Sequence, residues 1–259
     1  MSGTTRHQPP VVLLHSSGST AQQWEMLAQA LEPRFEVLPV ELHGHGERGA
    51  WNSDTPFKLA DDANLVLPIL ERVGPAHLIG HSYGGAVALK VASLHVKLVR
   101  SVTAYEPVLF RWLLRDAEGV RQLRDMLPLV EVMRVHVLRG DGAAAARIFV
   151  EYWTGADGWR HMPQRRRAAI ASRMPSVLRH FDALFSEPFE AEQLSHSGVP
   201  MLFLTGGQTI DIPRRISELL RRVMPTASHE TLEGMGHMGP ITHAPKVNRR
   251  IEQFLHLYH

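Results

Sequence analysis

Short apolar runs rich in β-branched residues alternate with helical patterns at both ends of this chain, and a long stretch between them carries no strand signal. Val11–Leu14, Phe35–Val40, Ala76–Ile79 and Leu98–Ala104 read as strands. Gln22–Leu31, Leu59–Val73 and Gly84–Leu94, with apolar residues at helical spacing, read as the helices between them. Such alternation predicts a parallel sheet, because parallel neighbours need a crossover and the crossover is normally a helix. After Pro107 the pattern is helical only: Phe110–Met126, Leu129–Leu138, Gly142–Tyr152, Pro163–Arg173 and Val177–Phe185, separated by glycine or proline. Alternation returns with the strand Pro200–Leu204, the helix Pro213–Val223, the strand Ser228–Leu232 and the helix Ala244–Leu257. The expected architecture is α/β: a mostly parallel, doubly wound sheet of six or seven strands. Residues 1–106 and 199–259 build this core. Residues 107–198 form a helical cap over the carboxyl edge of the sheet, where open α/β sheets place their ligands.

Composition narrows the chemistry. The chain has 259 residues, 44% of them hydrophobic, enough to bury a core without staples. It has no cysteine, which excludes disulfides, thiolate metal sites and a cysteine nucleophile. Twenty-eight basic side chains against 26 acidic ones leave a formal charge of +2, which gives no basis for nucleic-acid binding. Apolar stretches such as Pro10–Leu14 and Leu65–Leu70 fall far short of the roughly 20 residues a membrane span needs. Met1–His15 holds no long apolar region after a basic start. A cytoplasmic monomer or homodimer is expected, with a small-molecule substrate and neither nucleic acid nor membrane as partner.

The most informative residues are Gly80-His81-Ser82-Tyr83-Gly84. Gly-x-Ser-x-Gly alone is a weak pattern. Here it directly follows an apolar strand and opens a helix, the setting in which a sharp turn lifts a serine hydroxyl above the sheet. The amide of Tyr83, at the helix start, points into the same space.

With that elbow in place the chain resembles the α/β-hydrolase family over nearly its whole length. His15-Ser16-Ser17-Gly18 looks like the family's oxyanion loop, with Ser16 where most members have glycine. Glu41-Leu42-His43-Gly44-His45-Gly46 is similar to its Asp-x-x-Gly-His-Gly loop, with glutamate in place of aspartate. Gly234-Met235-Gly236-His237-Met238 matches the loop of the catalytic histidine. The resemblance implies Ser82 as nucleophile, His237 as general base, and the amides of Ser17 and Tyr83 as oxyanion donors. It implies no metal or organic cofactor. Serine at position 82 argues against the branches that form an ester on a carboxylate.

The third triad member departs from the family frame. After the strand Pro200–Leu204 the family places an aspartate between a turn glycine and a proline; here Gly206 and Pro213 mark the frame and Thr209 occupies the position. Glu106, in Tyr105-Glu106-Pro107 at the end of the preceding strand, is the favoured acid, since some branches place theirs there. Asp211 is the alternative, although it also suits an ordinary helix N-cap before Pro213. The family normally has two antiparallel strands before the one at Val11, and too few residues precede it here for a hairpin.

Of the 16 histidines, His15, His43 and His45 belong to loop motifs and read as braces, with His15 the one nearest to substrate contact. Phe110, Trp112, Leu113, Phe149, Trp153 and Trp159 offer an apolar pocket wall or a cap core, with Phe110 and Trp153 taken as substrate-binding candidates. The run Arg165–Arg167 reads as a solvated face. The expected activity is hydrolysis of a small carboxylic ester or lactone through an acyl-enzyme on Ser82. The same triad also serves carbon–carbon bond hydrolysis or acyl transfer, and a slow small-molecule receptor on this fold is the non-enzymatic alternative.

Overall fold

The computed structural model describes residues 8–188 and 192–258. The first seven residues of the N-terminal stretch Met1–His15 lie outside them. Six strands form one all-parallel sheet: β1 (Gln8–Leu14), β2 (Phe35–Val40), β3 (Ala76–His81), β4 (Val99–Tyr105), β5 (Met201–Gly206) and β6 (Ser228–Leu232), in the order β2-β1-β3-β4-β5-β6. The helices of the flanks are α1 (Glu25–Leu31), α2 (Leu59–Val73) and α3 (Tyr83–Leu94). Between β4 and β5 every described element is helical: a 3-10 turn over Phe110–Arg115, then α4 (Ala117–Leu138), α5 (Gly142–Thr154), α6 (Ala156–Arg160), α7 (Gln164–Ser186) and α8 (Glu192–Ser195). The chain finishes with α9 (Asp211–Val223), α10 (Gly239–Thr242) and α11 (Ala244–Leu255). None of the described helices is long and apolar enough to cross a membrane.

Strand residues alternate between two cores, as a pleated sheet covered on both faces requires. Val11, Leu13, Ile79, Leu202 and Leu204 pack with α1 and α11. Val12, Leu14, Leu78, Val102, Ala104 and Phe203 pack with α2, α3, α9 and the inserted helices. β1 is longer than its apolar run because Gln8 pairs with β2 ahead of a register shift; Pro9 and Pro10, which cannot donate to a ladder, occupy that irregular stretch.

Two expected helix breaks are absent. α4 runs through Pro128 and α7 through Pro175. Both prolines are exposed, as is Arg124, one turn before Pro128, so the carbonyl that loses its partner there faces solvent. The α2 helix likewise contains Pro68.

The sheet order reverses beside β1, since β2 lies on one side of it and β3 on the other. The loops that leave β1 and β3 therefore flank a crevice at the carboxyl edge. Those loops carry Ser17 and Ser82.

Candidate active site

Ser82 lies between the last residue of β3 and the first of α3, with φ 57° and ψ −118°. A side chain at positive φ costs of order 1–3 kcal/mol, held here by the surrounding hydrogen bonds. The Ser82 amide donates to Tyr105 O (2.9 Å), and the amides of Ala86 and Val108 donate to Ser82 O at 3.1 and 3.3 Å. The turn also needs its glycines. A Cβ on Gly80 would lie 2.3 Å from Gly84 O, and one on Gly84 only 2.4 Å from Leu14 O.

His237 reaches the serine from the loop after β6. Its Nε2 is 3.0 Å from Ser82 Oγ and its Nδ1 is 2.7 Å from Glu106 Oε2. The loop is held from below. Tyr105 Oη donates to Gly236 O (2.7 Å), and His81 Nε2 donates to His237 O (2.8 Å). Burial, reinforced by the neighbouring His237, pushes the His81 pKa well below the usual histidine range. The ring of Trp153 stacks on that of His237 with centroids 4.2 Å apart.

Glu106 is fully buried and, like Ser82, takes a positive φ, 44°. Its amide donates to Leu204 O (2.9 Å), which seats the residue across the ends of β4 and β5. Its carboxylate accepts from three donors: the Gly206 amide at 2.7 Å on Oε1, Thr209 Oγ1 at 2.8 Å on Oε2, and His237 Nδ1. A proton on Nδ1 leaves the Nε2 lone pair facing the serine hydroxyl, the tautomer a general base needs. Asp211 is elsewhere. Its side chain is 74% exposed, paired with Arg214 at 3.1 Å, and it is the first residue of α9 rather than the N-cap expected of it; Ile210 holds that position.

In the loop after β1, Ser16 turns away from the site. Its amide and hydroxyl both donate to Gln23 Oε1, at 3.1 and 2.8 Å. The Gly18 amide donates to His45 Nε2 (3.0 Å). Among the described residues no acceptor takes the Ser17 N–H. Tyr83, the first residue of α3, has no intrahelical acceptor for its own amide. Both residues line one cavity with Ser82 and His237.

That cavity has a volume of about 690 Å³, within the range of small-molecule sites. Phe110, Phe149, Trp153, Ile170, Phe181 and Leu184 provide its apolar wall. Trp112 and Leu113 are buried in the core among the inserted helices instead, and Trp159 lies beneath the Arg167 guanidinium. The arginine run divides: Arg165 and Arg166 reach the cavity, whereas Arg167 donates to Met162 O and Arg160 O.

His15 does not line the cavity. It is fully buried, donates from Nδ1 to Ser16 O (2.8 Å) and accepts the Leu42 amide at Nε2 (3.2 Å), bracing two loops. His45 donates from Nδ1 to His43 O (2.9 Å). Burial and the nearby His15 push its pKa down to about 4. Sequence reasoning names Gly206 only as a turn glycine, not as a donor to Glu106, and passes over His180. For Gly206 the signal is its place at the turn after β5. His180 has none, because its contacts are made by distant segments.

Known proteins resemble this chain over most of its length. It is 28% identical over 242 residues to a pimeloyl-[acyl-carrier protein] methyl ester esterase of Edwardsiella ictaluri, covering 90% of this chain and 88% of that one. It is 23% identical over 254 residues to a putative carbamate hydrolase of Yersinia enterocolitica, covering 95% and 86%. The enol-lactonase of Burkholderia xenovorans superposes with a TM-score of 0.74 at 20% identity, over 96% of this chain and 93% of that chain. A model of the Alpha/beta hydrolase family matches residues 11–250, and the chain belongs to that family.

Proposed function

We propose that this protein is a serine hydrolase that cleaves a small carboxylic ester or lactone through an acyl-enzyme on Ser82. The observation that carries the proposal is the position of His237, within hydrogen-bond distance of Ser82 Oγ on one ring nitrogen and of Glu106 on the other. An alcohol becomes a nucleophile at neutral pH only when a base removes its proton during attack. His237 Nε2 takes that proton as Ser82 Oγ adds to the carbonyl, and Glu106 fixes the tautomer and steadies the imidazolium. The amides of Ser17 and Tyr83 hold the oxyanion of the tetrahedral intermediate. His237 then protonates the leaving alkoxide. Water, deprotonated by the same histidine, releases the acid.

The apolar wall contributed by the segment 107–198, acting as a cap, suits an apolar acyl or alcohol portion. A methyl ester esterase among the relatives and an enol-lactonase among the structural neighbours support ester or lactone chemistry. The test is incubation with a fluorophosphonate followed by intact mass, and a screen of p-nitrophenyl esters of graded acyl length beside lactones. One covalent adduct, lost in Ser82→Ala, is the expected result. An unlabelled protein that turns over none of these substrates would point to a receptor.

A further inference from the structure

One buried histidine of the inserted helices takes no part in these proton transfers. His180, on α7, is 1% exposed, and its ring lies flat on that of Tyr83, centroids 3.7 Å apart and planes 3° from parallel. Its Nδ1 is 2.8 Å from Ser17 Oγ. Its Nε2 faces Asp62 Oδ2 at 3.5 Å. Asp62 is itself fully buried and accepts the Tyr83 hydroxyl (2.9 Å) together with the amide and Nδ1 of His43. His45, the acceptor of the Gly18 amide, stacks on His180 at 4.8 Å. One side chain from the insertion therefore touches both residues whose amides are the proposed oxyanion donors, and a second ring relays it to the next residue of the loop.

The protonation pattern follows from the neighbours. A carboxylate beside Nε2 favours the proton there, which leaves Nδ1 as the acceptor of the Ser17 O–H. Burial, with His45, His15 and His43 nearby, pushes the pKa of His180 well below the usual range, so the ring stays neutral in this role. The Ser17 hydroxyl is thereby turned toward α7.

We infer that His180 is a positioning residue: by accepting the Ser17 hydroxyl and stacking on Tyr83, it holds the two oxyanion amides in register, so that the seating of α7 sets the strength of the oxyanion site. The inference rests on the proposed serine-hydrolase reading for its kinetic consequence, though not for its structural one. Oxyanion donors act only at about 2.7–3.1 Å from the position the oxyanion will occupy, so a small drift of either amide weakens the transition state and leaves substrate binding nearly unchanged.

Three variants test it: His180→Phe, which keeps a stacking ring and loses the acceptor; Ser17→Ala, which loses the same hydrogen bond from the other side and keeps the amide; and the double variant. Each single substitution is expected to lower kcat about 10- to 100-fold with KM within about threefold of wild type. The double variant should be no more than about threefold worse than the poorer single, because both remove one interaction. Affinity for an alkyl boronate, which forms a tetrahedral adduct on the serine, should fall with kcat, while inhibition by the carboxylate product holds. Hydrogen exchange over residues 15–20 should quicken in His180→Phe with β3 and β5 unchanged. Unaltered exchange in that loop overturns the tether whether or not the wild type hydrolyses esters. So does wild-type kcat in both single variants, or boronate and product affinities that fall together. A wild type that neither labels nor turns over would defeat the hydrolase reading, and exchange would then decide the tether alone. Should His180→Phe not fold, Ser17→Ala carries the same comparisons.

Discussion

Thr209 Oγ1 donates a 2.8 Å hydrogen bond to Glu106 Oε2, the same carboxylate oxygen that faces His237 Nδ1. β4 and β5 are parallel neighbours in register at Tyr105 and Leu204, so the residues that follow them arrive abreast at the same edge. A carboxylate leaving the end of β4 can thus occupy the space that an acid in the loop after β5 would fill. Thr209, in that loop, then becomes a donor to the acid rather than the acid itself. The Gly206 amide completes the clasp on the other oxygen at 2.7 Å.

Glu106→Gln should lower kcat at least about 100-fold, since the carboxylate that orients the imidazole of a serine protease contributes about 10⁴. It should also reduce stability by about 1–3 kcal/mol, because an amide nitrogen must now face the Gly206 N–H, the Thr209 hydroxyl or the imidazole. Asp211→Asn, at an exposed helix start, should keep nearly all activity. Steady-state kinetics and melting curves on the two variants decide the matter. The reverse pattern would move the acid to the loop after β5.

Thr209→Val keeps the shape of the side chain and deletes its donor. With two donors remaining, the carboxylate should hold its place less firmly, lowering kcat by about 3- to 10-fold with KM unchanged. Equal kcat in Thr209→Val and wild type would reduce this contact to packing.

Much of this arrangement is legible in the residues alone. Val11–Leu14 and Ala76–Ile79 announce buried parallel strands because both faces are covered and nearly every position is apolar, and Phe35–Val40 reads as a strand although it is the half-exposed edge of the sheet. The elbow is legible because glycine, serine and glycine at that spacing meet a strand end and a helix start. Other features are set by contacts between distant segments. Whether Glu106 or Asp211 meets His237 depends on the alignment of two strand ends far apart in sequence. The helix through Pro128 continues on an exposed face, where a lost hydrogen bond costs little, while Ala171 O, four residues before Pro175, packs against Gly142; a local proline rule has no knowledge of either face. His180 finds Ser17 across 163 positions, and nothing in the run Ser176–Ala183 marks it.

Ser82→Ala should abolish turnover by several powers of ten, with melting temperature close to wild type, because alanine retains the Cβ that the positive φ penalises. Ser82→Gly should be equally inactive but at least as stable. Relief of about 1–3 kcal/mol of strain offsets the roughly 0.5–1 kcal/mol that glycine loses in chain entropy. Matched melting curves of the two inactive variants report the strain directly. A glycine variant clearly less stable than the alanine one would mean that the elbow carries none.

Acid should unfold this protein from the loops around the nucleophile. His45, His81 and His180 are buried and neutral, and burial pushes all three pKa values down, that of His45 to about 4. In the unfolded chain each returns to an ordinary value near 6.5 and takes up a proton that the native state refuses. The unfolded state then binds more protons, so stability rises with pH across this window; it is intact above about 6.5 and is lost as the pH falls toward the folded values. For His45 the complete loss is about 3 kcal/mol. Near pH 5 His45 should contribute a slope of about 1 kcal/mol per pH unit, and His81 and His180 act in the same direction. Urea midpoints measured from pH 7.5 down to 5 should therefore fall steeply, and His45→Gln should shed about one proton's share of the slope. A midpoint that stays level over that range would show that these histidines take up their protons without unfolding, and the neutral stack behind the oxyanion loop would have to be abandoned.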